Sequence, residues 1–277
     1  MDNKIIRHKG SRVYRERNFK KEQPTRPNTQ SSLSNRDSFS QSRNQTEVKE
    51  KSEKPDTQRR SGWIGTDESG KGDYFGPLVV AGVYVDGSLI PKLKELKVRD
   101  SKKISDGVIR ELDFKIRSMC HYSVVVIGPE KYNLLYSRMK NLNRMLAWGH
   151  ARVIENILLQ VDSPRALSDQ FGDEQYIRNA LMKLGKKIRL EQRPGAESDL
   201  AVAAASILAR AEFVNRLERL SQDCGMGLPK GASSLTEEVG RKLVEKLGKE
   251  NLEKYVKLHF KNTNKVLSPQ KEESAQT

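Results

Sequence analysis

The sequence predicts an α/β fold, a mixed sheet flanked by helices, behind a basic N-terminal tail. Three observations predict it. From Ser61 onward, β-branched and apolar runs alternate with stretches whose apolar positions recur at helical spacing. Residues 201–209 are small and apolar, as suits a helix that lies close against a sheet. Residues 1–60, by contrast, are rich in Arg, Lys, Asn, Gln, Ser and Thr and hold apolar residues only singly or as the pair Ile5-Ile6. Such a segment cannot bury enough apolar surface to offset its ordering entropy. The expected organisation is a disordered basic tail over 1–60, one folded domain over 61–267 and a disordered C-terminal tail over 268–277.

The elements follow in order. Trp63-Ile64 reads as a short strand and residues 77–85 as a longer one, Val-rich and flanked by glycine and proline. Ser105 is placed to cap a helix running to about Met119, with Ile109, Leu112 and Ile116 at helical spacing. Residues 121–127 form a β-branched strand closed by Gly128-Pro129, and 142–160 a long helix with Met145, Leu146, Val153 and Ile157 facing inward. A strand over 165–168, a helix over 174–184, a strand over 187–192 and a helix over 200–220 complete the core. Residues 236–247 and 251–259 read as basic, peripheral helices. Three layers result, helices on both faces of a sheet.

Charge narrows the class of partner. The chain carries a net +15, of which residues 1–60, with 16 Lys and Arg against 8 Asp and Glu, hold +8. Excess charge on both parts points to a polyanion such as nucleic acid. No apolar h-region follows Met1, and no stretch approaches the length of a membrane span, so a cytoplasmic protein is expected. Cys120 and Cys224 form no metal-binding spacing and no disulfide framework. His150, alone in an apolar helix, reads as a packed residue rather than a ligand.

The chemistry concentrates in Gly65-Thr66-Asp67-Glu68-Ser69-Gly70-Lys71-Gly72-Asp73-Tyr74-Phe75-Gly76-Pro77. Adjacent acids repel each other, so an ordered segment that keeps both calls for a cation. Glycines on either side of Lys71 let the backbone approach a bulky anion. Together these suggest hydrated Mg²⁺ or Mn²⁺ beside a phosphate. Gly65, Gly70 and Lys71 also satisfy the spacing of a P-loop. That reading fails on three counts: Gly72 replaces the Mg²⁺-binding hydroxyl, Asp67 and Glu68 repel a triphosphate, and a strand follows where a helix is needed.

The same segment resembles the signature of bacterial ribonuclease HIII, a type 2 ribonuclease H. Ribonuclease HII is similar but usually carries DEAGRG, so Lys71 and the Asp73-Tyr74-Phe75 run favour HIII. Further strings agree in order: Asp100-Ser101-Lys102-Lys103, Asn141-Leu142-Asn143, Ser168-Asp169-Gln170-Phe171, and the run from Glu197-Ser198-Asp199-Leu200 to Arg210. They span about Ser61 to Leu267. The resemblance implies an RNase H-like fold, an endoribonuclease acting on RNA/DNA hybrids, and catalytic, metal-holding carboxylates at Asp67, Glu68, Asp169 and Asp199. Glu197 is a spare acid beside the last of these. In-line phosphodiester cleavage with two divalent ions about 3.5–4 Å apart would leave 3′-hydroxyl and 5′-phosphate ends. The backbone of Gly70-Lys71-Gly72 would reach the 2′-hydroxyl, which alone marks RNA, while Lys102, Lys103, Asn141 and Asn143 would hold phosphates and sugars. The enzyme is expected to act as a monomer without a protein partner. One departure is visible. The family usually has a folded N-terminal domain resembling the TATA-binding protein, and residues 1–60 are too polar to be one.

Overall fold

The structure, a computed structural model, describes residues 62–99 and 101–268. The tail expected over 1–60 lies outside the described residues, as do Ser61, Asp100 and, apart from Ser268, the tail expected over 268–277. Five strands form one mixed sheet: β1 (Trp63–Ser69), β2 (Leu78–Val85), β3 (Tyr122–Ile127), β4 (Arg165–Asp169) and β5 (Arg189–Arg193). Their spatial order is β3-β2-β1-β4-β5. β1 pairs antiparallel with β2 and parallel with β4, and β4 runs parallel to β5. The ends of β1, β4 and β5 therefore open on one edge of the sheet, the edge from which β2 departs.

Helices cover both faces. On one lie α1 (Ile90–Glu95), α2 (Asp106–Met119) and α6 (Leu200–Cys224); on the other lie α3 (Pro129–Met139), α4 (Leu142–Leu158) and α5 (Gln175–Ala180). Alternation along the strands assigns their side chains. Val79, Ala81, Val83 and Val85 of β2 pack with Ala204, Leu208 and Phe213 of α6 and with Ile109 and Ile116 of α2. Ile64 of β1 and Tyr84 of β2 pack with Ala147, Ile154 and Ile157 of α4. The small face of α6 permits a very close approach: a Cβ on Gly65 would stand 2.2 Å from the backbone of Ala201 and Val202.

No helix is expected from the sequence at α1 or α3, and two helices that are expected differ in the structure. α5 ends at Ala180, because the carboxylate of Glu155 on α4 accepts the amides of Leu184 and Gly185 and turns the chain aside. No helix spans 251–259. A 3₁₀ stretch at Lys249–Lys254 is followed by an extended segment in which Val256 bridges Phe75, and α8 (Lys261–Leu267) comes after it. The reason lies in Lys257. This side chain is fully buried, and its ammonium donates to the carbonyls of Asp73 at 2.8 Å and Gly76 at 2.7 Å. α7 (Ser234–Leu247) forms as expected, with Ser233 and Thr236 in a capping box. Among the described residues no helix is long and apolar enough to cross a membrane.

Candidate active site

Asp67 and Glu68 lie within β1, at the sheet edge where three strand ends meet. Strand alternation points them to opposite faces. Thr66 and Glu68 turn toward α4, where both meet His150; Gly65 and Asp67 turn toward α6. Parallel pairing brings the end of β4 beside β1, so Asp169 joins the pair. The turn after β5 is tied to that end, since Asp169 Oδ1 accepts from the amide of Ala196 at 3.1 Å. Next in that turn come Glu197 and Asp199.

All of these acids but Asp199 open on a cleft of about 500 Å³. Asp67, Glu68, Asp169 and Glu197 line it together with Gly70, Lys71, Gly72 and Lys102. The loop after β1 is shaped for backbone contact. Gly70 has φ +89°, and a side chain there would strike the carbonyl of Pro77. Gly72 is exposed, with open space where a side chain would stand. The far side of the loop is fixed: Asp73 Oδ1 accepts from Gly231 N at 2.7 Å, and Lys257 holds the carbonyls noted above.

Electrostatics distinguish the two adjacent acids. Burial pushes the Asp67 carboxyl well above the usual carboxylate range, and the charges of Glu68 and Asp169 push it the same way. Burial also works against Glu68, but the His150 hydrogen bond and Lys71 hold its carboxyl below its ordinary value. His150 Nε2 stands 3.3 Å from Glu68 Oε2, and Lys71 Nζ 3.6 Å from Oε1. Three acids thus converge with more negative charge than the protein offsets, the condition a divalent cation relieves. Among the described residues, no three His, Cys, Asp or Glu side chains are already gathered closely enough to grip an ion by themselves.

The remaining sequence-predicted residues divide. Asp199 is the N-cap of α6, its Oδ1 accepting from Ala201 N at 2.9 Å, Val202 N at 3.2 Å and Trp63 Nε1 at 2.9 Å. Lys102 faces the cleft; Lys103 continues the same 3₁₀ turn, with its side chain outside those described. Asn141 caps α4, accepting from Arg144 N and donating to the Tyr176 hydroxyl, and Asn143 packs against Gly172. Neither asparagine is among the cleft-lining groups. Sequence reasoning missed a second basic wall. Arg210 and Lys230 line the cleft and converge on Asp106, at 2.8 Å to Oδ1 and 2.9 Å to Oδ2, while Arg210 also donates to Ser101 O. Arg210 carried a signal, as the first charged residue after an apolar helix stretch; Lys230 carried none.

The family model described as Ribonuclease HII matches residues 64–263, a stretch that contains every acid of the cleft. The chain belongs to the ribonuclease HII/HIII family. It is 48% identical over 204 residues to the Ribonuclease HIII of Protochlamydia amoebophila, covering 74% of this chain and 68% of that protein. It is 45% identical over 208 residues to the Ribonuclease HIII of Chlamydia pneumoniae, covering 74% and 70%. Among solved structures it resembles Bst-RNase HIII in complex with Mn²⁺, with TM-score 0.71, 34% identity and coverage of 76% and 70%. The RNase HII of a PCNA complex from Archaeoglobus fulgidus is similar with TM-score 0.62, 29% identity and coverage of 75% and 98%. The chain is therefore an RNase HIII-type endonuclease, a hydrolase whose family acts on RNA/DNA hybrids and uses divalent metals.

Proposed function

We propose that this enzyme cleaves the RNA strand of a hybrid with two divalent ions, Mg²⁺ or Mn²⁺, held by Asp67, Glu68 and Asp169, leaving 3′-hydroxyl and 5′-phosphate ends. The observation that carries the proposal is the convergence of these three carboxylates on one cleft edge, where burial and the charges of Glu68 and Asp169 raise the Asp67 carboxyl. Bound ions supply Lewis acidity and an activated water at such a site. The chain's own residues do the rest. Gly70-Lys71-Gly72 presents bare backbone for a 2′-hydroxyl contact, and Lys71, Lys102, Arg210 and Lys230 rim the cleft to orient phosphates. Lys103 extends that basic turn in sequence. Asn141 and Asn143 act on the substrate only indirectly in this reading, by setting the start of α4.

The fourth carboxylate comes from the turn after β5. In this reading it is Asp199, the cap of α6, and Glu197 two residues before it stands on the cleft wall. The enzyme works as a monomer in the cytoplasm in this proposal.

The test offers the purified protein three labelled duplexes with Mg²⁺ or Mn²⁺: a long RNA/DNA hybrid, double-stranded RNA, and DNA with one embedded ribonucleotide. Cleavage of the hybrid, with 5′-phosphate products and far slower incision at the single ribonucleotide, is expected. The structural likeness to an RNase HII gives the alternative its footing. Equal rates on the hybrid and the single-ribonucleotide duplex would move the chain to HII-like incision.

A further inference from the structure

His150 is the one histidine of the described residues that touches the acid cluster, and the reaction as proposed makes no use of it. Its side chain is completely buried in α4. Nδ1 lies 2.8 Å from Thr66 Oγ1 and 3.5 Å from Ser168 Oγ, and Nε2 lies 3.3 Å from Glu68 Oε2. Phe171 stacks on the imidazole with centroids 4.9 Å apart, and Lys71 Nζ stands 5.9 Å from the centre of the Phe171 ring. The imidazole is thus fixed by β1, by the end of β4 and by an aromatic cover. An ionised carboxylate can only accept hydrogen bonds, so the nitrogen facing it must carry hydrogen.

We propose that His150 is a positioning residue for metal binding: its Nε2–H holds Glu68 Oε2, so that the carboxylate keeps one orientation and offers Oε1 toward the cleft. The inference rests on the reading of Glu68 as a metal-holding carboxylate. The geometry explains why Glu68, on the α4 side of the sheet, still serves a cleft that Asp67 reaches from the α6 side. A glutamate has one more rotatable bond than an aspartate, and a rigid partner removes that freedom before an ion arrives. Hydrogen-bonded partners of metal-holding groups commonly act this way, and losing one weakens metal affinity by about 10–100-fold.

Side-chain geometry separates the two nitrogens. In His150→Gln the amide nitrogen can stand near the place of Nε2 and keep the contact to Glu68. In His150→Asn it can stand only near Nδ1, keeping Thr66 and losing Glu68. Mn²⁺ affinity of the full chain without nucleic acid would be measured by calorimetry, with melting curves confirming that each variant folds. His150→Gln should bind within about 3-fold of the parent, and His150→Asn about 10-fold more weakly or worse. In the parent, the Nε2–H resonance of His150 should shift on adding Mg²⁺. Equal Mn²⁺ affinity in the Gln and Asn variants would overturn the proposal and leave His150 a packing residue. Glu68→Gln is the control on the underlying reading. If it loses Mn²⁺ while the two His150 variants match each other, only the His150 inference falls; if it binds like the parent, the carboxylate assignment falls and takes this inference with it.

Discussion

Asp67 and Glu68 are neighbours in the chain and opposed in direction, and the structure treats their charges differently. Glu68 is held by His150 and Lys71, whereas Asp67 is buried and faces Glu68 and Asp169, with the Glu68 backbone amide and Lys102 in opposition. A neutral amide at Asp67 or Asp169 should therefore lower hybrid cleavage by about 10³-fold, equivalent to about 4 kcal/mol of lost transition-state stabilisation. Binding of the hybrid should survive, because the lysines and Arg210 remain. Turnover and gel-shift affinity of Asp67→Asn and Asp169→Asn check this, and near-normal turnover in Mg²⁺ would remove the carboxylates from the chemistry. Adding Glu197→Gln and Asp199→Ala separates their roles: Asp199→Ala should lower the melting temperature as well as the rate, since it removes the cap of α6, while Glu197→Gln should leave stability unchanged. The acid pair was legible because adjacent carboxylates among glycines are hard to explain otherwise. His150 was not. A single histidine in an apolar helix looks the same in sequence whether it touches Leu or Glu, and only the pairing of β1 with α4 decides.

At the scale of elements, the core was readable wherever periodicity and burial agree. β2, apolar on both faces because helices cover both, and α6, with its small-residue face, stand close to their expected bounds. The 251–259 segment was misread because its order comes from partners distant in sequence, the carbonyls of Asp73 and Gly76, and not from local propensity. Close packing of α6 on β1 makes Gly65→Ala a direct test: its methyl would press on the Ala201 backbone, which cannot yield as a side chain can. A loss of about 1–3 kcal/mol, seen by denaturant unfolding, is expected; an unchanged midpoint would mean that the two elements are not so tightly joined. Lys257 allows a pH test. Burial pushes its ammonium down to about 7, partly countered by Asp73, against about 10.4 in an unfolded chain. Between these values the unfolded chain holds a proton that the folded one has released, so stability contributed through this group rises with pH. Lys257→Met lacks that contribution and leaves the loop carbonyls without their donor. Its melting point should be below the parent's, with a gap that widens from pH 6 to pH 9. A gap that narrows would contradict a depressed ammonium.

Over the whole molecule, the division of charge carries the last argument. Residues 1–60 hold +8 of the net +15 yet none of the cleft's acids, so the tail proposed there can attract a hybrid without touching the chemistry. Attraction of this kind acts through release of counterions from the duplex and therefore has a signature in salt. If the tail neutralises roughly three to five phosphates, deleting residues 1–60 should reduce the slope of log affinity against log salt by about 2–4 units. At low salt the shortened chain should bind less tightly, and at moderate salt the two chains should converge. The saturated cleavage rate should stay the same, because Asp67, Glu68 and Asp169 are held by β1 and β4. Hybrid binding titrated from low to moderate salt, with and without residues 1–60, measures both slopes. Identical slopes would assign the whole electrostatic grip to the cleft rim of Lys71, Lys102, Arg210 and Lys230, and would leave the tail with no share in it.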